Sequence, residues 1–369
     1  MRVLYFSRDY TPHDRRFLAA LAGTEHRVYY LQLERRRRTL EDRPLPPEIE
    51  VVSWAGGHEA FDLRNSPHLL DDLKRVISSV SPDLVHAGPI QTSAYLAALS
   101  GFRPLVSMSW GYDLLQDADR NPFSRWATRF TLTHSDVMVG DCQTVRQKAI
   151  SYGMDGDRIV TFPWGVNLEH FSPVSERLPE EDAFTLLSTR GWEPVYGVDL
   201  LAKAFVCAAK AQPGLRLLLL GGGSQGGLLR QIFEAGGVLD KVQFAGQVSN
   251  ADLPCYYRSA DVYISASHSD GSSISLLEAM ACGKPAIVSD IPGNREWVDP
   301  GVNGWLFRDG DEGALCRLIL LAVENRAQLQ RMGGSGRVLA EQRADWKQNF
   351  PQLLRAYEMA VQGKTGKPD

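Results

Sequence analysis

Short apolar runs alternate with helical segments along this chain of 369 residues, and the first series of them fills residues 1–165. The strand-like runs of this series are 3–6, 27–31, 83–86, 105–108, 137–139 and 159–162. Helical segments lie between several of these runs, at 17–22, 69–80 and 92–99. This alternation is typical of a doubly wound parallel sheet.

The alternation then repeats in the second half of the chain. Its strands are predicted at 184–188, 216–220, 242–244, 262–265 and 286–289, and its helices at 200–211, 228–235 and 252–259. A polar segment with two prolines, 171–182, separates the two series and is typical of a linker. Because 369 residues exceed what one hydrophobic core usually supports, we predict two domains. The predicted fold is α/β, with two Rossmann-like doubly wound domains facing a central cleft at the carboxyl ends of their strands.

The predicted domain bounds follow from the two series and the linker. The N-terminal domain is placed at 1–172, the C-terminal domain at 173–343, and a final helical segment at 344–369. In that last segment Phe350, Leu353, Leu354 and Tyr357 recur at helical spacing, which predicts a helix with a core-facing side.

Composition excludes several classes of protein. The chain is 44% hydrophobic and 23% charged with a net charge of −4, which is ordinary for a globular protein and does not favour nucleic-acid binding. The five cysteines are odd in number, widely spaced and without a Cys-x-x-Cys pair. Zinc sites and a disulfide framework are therefore not expected. The cysteine pattern instead predicts a location in a reducing cytoplasm. No signal peptide and no apolar run long enough to span a bilayer are recognised.

Residues 269–283 carry the clearest chemical signal. Asp270 and Glu278 lie eight residues apart across a turn that runs into a helix, and the turn between them is built from small residues. A helix start offers unpaired N–H groups and a partial positive charge, which together form a seat for a diphosphate. The two acids would then hydrogen-bond hydroxyls on either side of it. The alternative is a buried amphipathic helix behind a polar loop.

Several spaced motifs in the C-terminal half continue this signal. They are Leu276-Leu277-Glu278-Ala279-Met280-Ala281-Cys282-Gly283, Ser289-Asp290-Ile291-Pro292-Gly293-Asn294-Arg295-Glu296 and Gly301-Val302-Asn303-Gly304. Segment 270–307 thereby resembles the signature region of the retaining glycosyltransferases of family four, which have the GT-B fold. Weaker similarity covers nearly the whole chain, including Phe162-Pro163-Trp164-Gly165-Val166-Asn167, which resembles the hinge segment. In that family a last helix crosses back onto the N-terminal domain.

The resemblance implies roles for individual residues. Asp270 and Arg190 match catalytic positions: the acid contacts hydroxyls of the donor sugar, and the arginine neutralises charge on the leaving diphosphate. Glu278 matches the acid that accepts hydrogen bonds from the nucleotide ribose. Gly271 and the backbone amides of Ser272, Ser273 and Ile274 would hold the diphosphate, with Gly222 lining the nucleotide site.

The sequence also departs from the family pattern. Tyr196 stands near the place of a usual Lys, so the donor phosphates lose one positive charge. Trp110 stands where many members carry His, and Asp270 is one methylene shorter than the usual Glu. These differences leave the donor base and sugar open.

The acceptor-binding residues are expected at the carboxyl ends of the N-terminal strands. The candidates are Asp9, Tyr10, Trp110, Gly111 and Asp113, with His86 as a further residue to consider. Tyrosine and tryptophan offer flat faces suited to sugar rings, and the acids accept hydroxyl bonds. Arginines 35–38 favour a lipid-linked acceptor and peripheral contact with the inner membrane surface. The alternative is that Trp110 belongs to the core and the arginines are solvated.

The expected function is transfer of a sugar from a nucleotide sugar to a glycan, glycolipid or hydroxylated small molecule, with retention and without a metal or other cofactor. A nucleotide-sugar epimerase and a non-catalytic nucleotide-sugar-binding partner remain alternatives. Asp-x-Asp pairs begin at Asp117, Asp155 and Asp309, but each has the context of a loop or turn, so metal ligation is not expected.

Overall fold

In the computed structural model the chain divides into two compact units. One comprises Met1–Phe162 and the segment that begins at Phe350, and the other comprises Pro163–Asn349. The structure describes residues 1–34, 41, 43–57, 61–62, 65–173 and 183–365. Arginines 35–38 and most of the predicted linker lie outside these residues.

The first unit contains a seven-stranded parallel sheet in the order β3-β2-β1-β4-β5-β6-β7. The strands are β1 (Arg2–Ser7), β2 (Arg27–Gln32), β3 (Glu50–Val51), β4 (Leu84–Gly88), β5 (Leu105–Met108), β6 (Val137–Gly140) and β7 (Ile159–Thr161). Strands β4, β5 and β6 are buried along their whole length, as expected of a sheet covered by helices on both faces. The strand order reverses between β1 and β4, and a doubly wound sheet binds its ligand at such a reversal.

Helices cover the two faces of this sheet. They are α1 (Pro12–Ala22), α2 (Ser66–Val80), α3 (Ser93–Ser100), α4 (Tyr112–Leu115), α5 (Pro122–His134), α6 (Gln143–Ser151) and, from the end of the chain, α15 (Pro351–Thr365). Helix α1 shows how the sequence sets such a start. The Thr11 side chain accepts from the Asp14 amide, and Asp14 accepts from the Thr11 amide at 2.9 Å, which forms a capping box ahead of Pro12.

Helix α15 packs against β4, β5, β6 and β7 of the first unit. The fully buried Tyr357 hydroxyl lies 2.7 Å from Nδ1 of His86 on β4. Burial lowers the pKa of His86 to about 3, so the ring is neutral near pH 7. His86 is therefore a packed residue within the sheet–helix layer, bonded inside the protein.

The second unit contains a six-stranded parallel sheet in the order β10-β9-β8-β11-β12-β13. The strands are β8 (Phe184–Ser188), β9 (Leu215–Leu220), β10 (Val242–Gly246), β11 (Val262–Ser265), β12 (Ala286–Ser289) and β13 (Gly304–Phe307). Here the order reverses between β8 and β11. The prediction of two Rossmann-like parallel sheets is confirmed.

The helices of the second unit lie on both faces of its sheet. They are α7 (Val198–Ala211), α8 (Gly226–Gly236), α9 (Leu253–Ser259), α10 (Ile274–Ala281), α11 (Pro292–Arg295), α12 (Glu312–Glu324), α13 (Arg326–Arg343) and α14 (Trp346–Asn349). Gly197 precedes α7 with φ at +58°, and a Cβ there would meet the backbone carbonyl of Ala266. Only glycine therefore allows α7 to begin so close to the loop that follows β11.

The division between the units falls ten residues before the predicted domain boundary at 172/173. Segment 163–173 belongs to the second unit because its side chains and backbone are held there. Val166 pairs with Asp345 in an isolated parallel bridge, and Phe171 is buried in a core cluster with Tyr257 and Leu277. A search for linkers by composition does not reveal a buried apolar contact of this kind.

One disulfide corrects the expectation from cysteine spacing. Cys207 on α7 and Cys316 on α12 are joined, with their Cα atoms 6.2 Å apart, although 109 residues separate them in sequence. Packing of α7 against α12 brings the two thiols together, which sequence spacing does not reveal. Cys142, Cys255 and Cys282 are not in disulfide bonds.

In the described part of the chain, no helix combines the length and the apolar character that a bilayer crossing requires.

Candidate active site

The strand reversal in the second sheet brings two charged residues together. Arg190 follows β8 and Asp270 follows β11, the two strands that flank the reversal. Their side chains form an ion pair, with Arg190 Nη2 lying 2.7 Å from Asp270 Oδ2. The predicted catalytic pair is thus placed where a doubly wound sheet binds its ligand.

Arg190 is held on three further sides. Its Nη1 donates to Ser273 Oγ at 2.9 Å and to Ser275 Oγ at 3.1 Å, at the start of α10. Its guanidinium carbon lies 4.1 Å from the centre of the Tyr196 ring. Tyr196, which stands near the place of the family's usual lysine, therefore supports the arginine through a cation–π contact.

The charge of Arg190 is secured by these neighbours. Burial acts to lower the pKa of the guanidinium, but the Asp270 carboxylate and the nearby Tyr196 and Tyr263 outweigh it, and the pKa is raised. Arg190 consequently remains a cation throughout the accessible pH range. A fixed positive charge at the strand reversal suits a ligand with a negatively charged centre.

The start of α10 has no side-chain cap. Ser273 is the N-cap residue, and its side chain makes no capping bond because its hydroxyl accepts from Arg190. Ser272 is buried and its hydroxyl accepts from Trp297 Nε1 at 3.1 Å. Gly271 and Ile274 lie directly beside them. The predicted diphosphate seat therefore has a helix dipole and uncapped amides next to Arg190.

Glu278 lies further along α10 and is 6% exposed. Its Oε2 accepts from the Tyr257 hydroxyl at 2.8 Å, and Tyr257 also lies 3.1 Å from Thr189 Oγ1. Burial and the Glu278 charge raise the pKa of Tyr257 well above its usual value, so the tyrosine remains a donor. A buried carboxylate fixed in this way is poised to accept hydroxyl bonds.

Gly222 lies in the loop that follows β9. Its carbonyl accepts from the Trp192 amide at 3.1 Å, and Trp192 Nε1 donates to the Leu220 carbonyl at 3.1 Å. Glu193 accepts from Ser224 in the same loop. A Cβ on Gly222 would meet no atom within 4 Å, whereas one on Gly223 would lie 2.7 Å from the Trp192 carbonyl carbon. Of these two glycines, only Gly222 has open space in front of it.

This open space yields a test of the predicted nucleotide site. Gly222→Ala is expected to leave the melting temperature unchanged and to weaken, by about tenfold or more, the binding of whichever nucleoside diphosphate the wild type binds best among UDP, GDP and ADP, because the methyl group occupies space that the ligand needs. Isothermal titration measures the affinity. Gly227→Ala on α8 is the matched control, since its Cβ also meets no atom within 4 Å. Equal affinities of both variants for that nucleotide would remove Gly222 from the site.

The predicted acceptor residues lie in two loops of the first unit, with Asp9 and Tyr10 after β1 and Trp110, Gly111 and Asp113 after β5. Asp113 is fully buried, and its carboxylate accepts from the Ile90 amide at 2.9 Å and from Ser109 Oγ at 2.6 Å. It therefore ties the loop after β4 to the loop after β5. Burial raises the pKa of Asp113 to about 6, an effect that these hydrogen bonds partly offset. Gly111, at φ +87°, lets the chain turn into α4 beside it.

The other acceptor candidates lie near α1. Asp9 is 4% exposed and accepts from Arg8 Nε at 3.1 Å. The partly buried Trp110 packs against His13 and Phe17, with ring centres 5.2 and 6.4 Å away. Tyr10 lines a cavity of the same unit.

Residues that sequence reasoning missed hold the site in place. Tyr257 and Tyr263 contact Glu278 and Ser275, and Trp297 contacts Ser272. These partners lie 12 to 25 residues from the groups they hold, and no local spacing signals the contacts. Within the described residues, no three His, Cys, Asp or Glu side chains cluster as metal ligands would.

Two family models match this chain, one in each half. The model described as Glycosyltransferase Family 4 matches residues 14–170. The model described as Glycosyl transferases group 1 matches residues 172–339, which include Arg190, Asp270 and Glu278.

Curated proteins of known name are also similar. The chain is 33% identical over 207 residues to a phosphatidyl-myo-inositol mannosyltransferase from Mycobacterium leprae, a match that covers 55% of this chain and 54% of that protein. It is 30% identical over 241 residues to a D-inositol 3-phosphate glycosyltransferase from Geodermatophilus obscurus, covering 61% and 53%. The matches span about half the length of these relatives.

Solved structures share the fold over nearly the whole chain. A sucrose-phosphate synthase from Thermosynechococcus elongatus superimposes with a TM-score of 0.82 at 19% identity, covering 97% of this chain and 98% of that one. An Anabaena protein solved in complex with UDP-glucose superimposes with a TM-score of 0.77 at 18% identity, covering 97% and 99%. At these identities the likeness shows the fold alone. The predicted GT-B fold class is confirmed.

Proposed function

We propose that this chain, which belongs to the group 1 glycosyltransferases of family four, transfers a sugar from a nucleoside diphosphate sugar to a hydroxyl group of an acceptor. In the proposed reaction the anomeric configuration is retained and no metal ion is used. The observation that carries this proposal is the Arg190–Asp270 pair at the strand reversal, beside the uncapped start of α10. A buried cation and helix amides together supply the positive potential that a divalent ion supplies in other transferases.

Each residue has a part in the proposed reaction. Arg190 and the amides of Ser272 to Ile274 stabilise the negative charge that grows on the diphosphate as the bond to the sugar breaks. Asp270 orients Arg190 and accepts a hydrogen bond from a hydroxyl group of the donor sugar. Glu278, oriented by Tyr257, accepts hydrogen bonds from the ribose hydroxyls. The leaving diphosphate takes the proton of the attacking acceptor hydroxyl, so no side chain is required as general base.

The acceptor is proposed to be a hydroxylated ring compound. Support comes from the names of the two curated relatives, one acting on phosphatidyl-myo-inositol and the other on an inositol phosphate. Both acceptors contain a cyclitol ring.

The experiment that tests the function has two stages. Thermal shift with UDP-, GDP- and ADP-sugars first identifies the donor, since a ligand that binds the folded state stabilises it by mass action. The selected donor is then incubated with sugar and cyclitol acceptors in EDTA and in added magnesium. We expect transfer within about twofold in both conditions and the donor's anomeric configuration in the product.

Three results would contradict parts of this proposal. Activity lost in EDTA and restored by magnesium would replace metal independence with metal catalysis. A product of inverted configuration would exclude retention. A changed nucleotide sugar formed without any acceptor would identify an epimerase.

A further inference from the structure

A cavity of about 490 Å³ lies in the first unit, at the β1–β2–β3 side of the sheet. Its described walls come from the loop after β1, from β2, from Glu41 and residues 43–45, and from β3 with the residues that follow it. The volume falls in the range of about 300–1,000 Å³ that is typical of small-molecule sites. None of the roles proposed above uses this cavity, although Tyr10 belongs to its wall.

Tyr30 carries the group of the cavity wall that argues most strongly for a ligand. Its side chain is on β2 and is 2% exposed, and its hydroxyl has no hydrogen-bond partner in the protein. A buried hydroxyl left without a partner is costly, and such a group in a native structure calls for an explanation. A ligand in the cavity that Tyr30 lines would supply the missing partner.

A charged pair in the wall decides the charge of that ligand. Arg43 donates from Nε and Nη2 to the two oxygens of the buried Glu41 carboxylate, at 2.8 and 2.6 Å. Tyr10 donates its hydroxyl to the Arg43 carbonyl at 3.1 Å. The bidentate pair neutralises the arginine, and an anionic group would meet the carboxylate. The wall therefore favours a neutral ligand.

The remaining walls combine polar and apolar surfaces. Gln32 donates Nε2 to the Glu34 carbonyl at 2.6 Å, which leaves its amide oxygen as an acceptor, and Ser53 adds a hydroxyl. Leu45 and Val51 provide apolar surface. Hydroxyl donors and acceptors set among apolar and aromatic faces match a sugar ring, which has hydroxyls at its rim and C–H groups on its faces.

We propose that this cavity binds a neutral sugar ring of the acceptor, next to the ring that receives the transferred sugar. The proposal rests on the function proposed above. In this unit the reacting ring belongs at the reversal between β1 and β4. Strands β2 and β3 are the next two along the sheet, and neighbouring strands are about 4.8 Å apart, so the two strands that wall the cavity lie within about 10 Å of β1, measured across the sheet. The acceptor accordingly contains at least two rings.

Tyr30→Phe tests the cavity because it removes only the unpartnered hydroxyl. The full chain is titrated with a panel of neutral disaccharides, maltose, cellobiose, lactose and mannobiose, by ligand-observed NMR. We expect at least one disaccharide to bind, and Tyr30→Phe to weaken it about three- to tenfold, as expected for one lost hydrogen bond. The melting temperature should stay level or rise, because a buried unsatisfied group is removed.

Tyr29→Phe is the matched control. It deletes the same hydroxyl from the neighbouring residue of β2, whose side chain points to the other face of the sheet and packs with Leu4 and Phe6. Disaccharide affinity should be unchanged in this variant.

The outcomes separate this proposal from the function beneath it. No binding of any disaccharide, equal affinities for wild type and Tyr30→Phe, or displacement of the sugar by inorganic phosphate would each overturn the cavity assignment. Titration of the same samples with the nucleoside diphosphate of the donor selected by thermal shift reports on the donor site. Binding of that nucleotide without disaccharide binding defeats only the cavity assignment, whereas loss of both defeats the proposed transferase function as well.

Discussion

Arg190→Ala is expected to lower kcat by about 10²–10³-fold, the usual cost of removing one preorganised charge-stabilising donor from a transition state. The guanidinium is the buried cation of the second unit's strand reversal, fixed by Asp270, Ser273 and Ser275. The measurement is kcat at saturating donor and acceptor, together with the melting temperature. A folded variant with wild-type kcat would assign Arg190 to structure.

Two further variants sharpen this result. Arg190→Lys keeps the charge but loses the planar fork that reaches Asp270 and Ser273 together, so it should recover only part of the rate. Arg216→Ala is the control for removal of an arginine. Arg216 is exposed and lies near the amino end of β9, away from the carboxyl ends of the strands, and its loss should leave kcat unchanged.

Gly333→Ala is expected to destabilise the folded chain by about 3 kcal/mol, at the upper end of typical overpacking costs. Gly333 lies on α13 where it crosses the end of α10. A Cβ there would lie 2.7 Å from the Gly283 carbonyl carbon and closer still to its oxygen. Because Gly283 lies two residues after the last residue of α10, the methyl group would push against backbone that cannot rotate away.

The adjacent glycine on the same helix is the control. A Cβ on Gly334 meets no atom within 4 Å, so Gly334→Ala should stabilise the chain by about 0.5–1 kcal/mol through helix propensity alone. Denaturant unfolding of both variants gives the comparison. Equal stabilities would mean that the approach of α13 to α10 is looser than the structure has it.

Most of the strands could be predicted from the sequence, and the exceptions have physical causes. Leu105–Met108 and Val262–Ser265 are buried along their whole length, so each is a short apolar run with clear ends. Glu50–Val51 has only two residues, both exposed, and carries no such signal. Gly304–Phe307 begins at a glycine because the Ala286 backbone lies too close for a side chain at that position. A hydrophobic pattern does not indicate such a close backbone contact.

The candidate site was predicted in part, for a comparable reason. Asp270 and Ser273 adjoin one helix start, so local sequence places them together, and the family pattern adds Arg190. Asp113 shows the limit of such reasoning. In the sequence, an acidic residue that follows a strand has the same pattern whether it faces a ligand or, as Asp113 does, accepts hydrogen bonds from neighbouring loops. Contacts across the fold decide between the two.

The packing of α15 bears on the order in which the two units fold. Residues 163–349 form one continuous unit, so all of its strands have been made before Phe350 is added. The first unit, although its strands are made first, lacks α15 until after residue 350, and until then β4 to β7 lack the helix that packs on them from that segment and His86 lacks Tyr357. We therefore expect the second unit to complete its folding first on the ribosome, which reverses the usual order from the N-terminus.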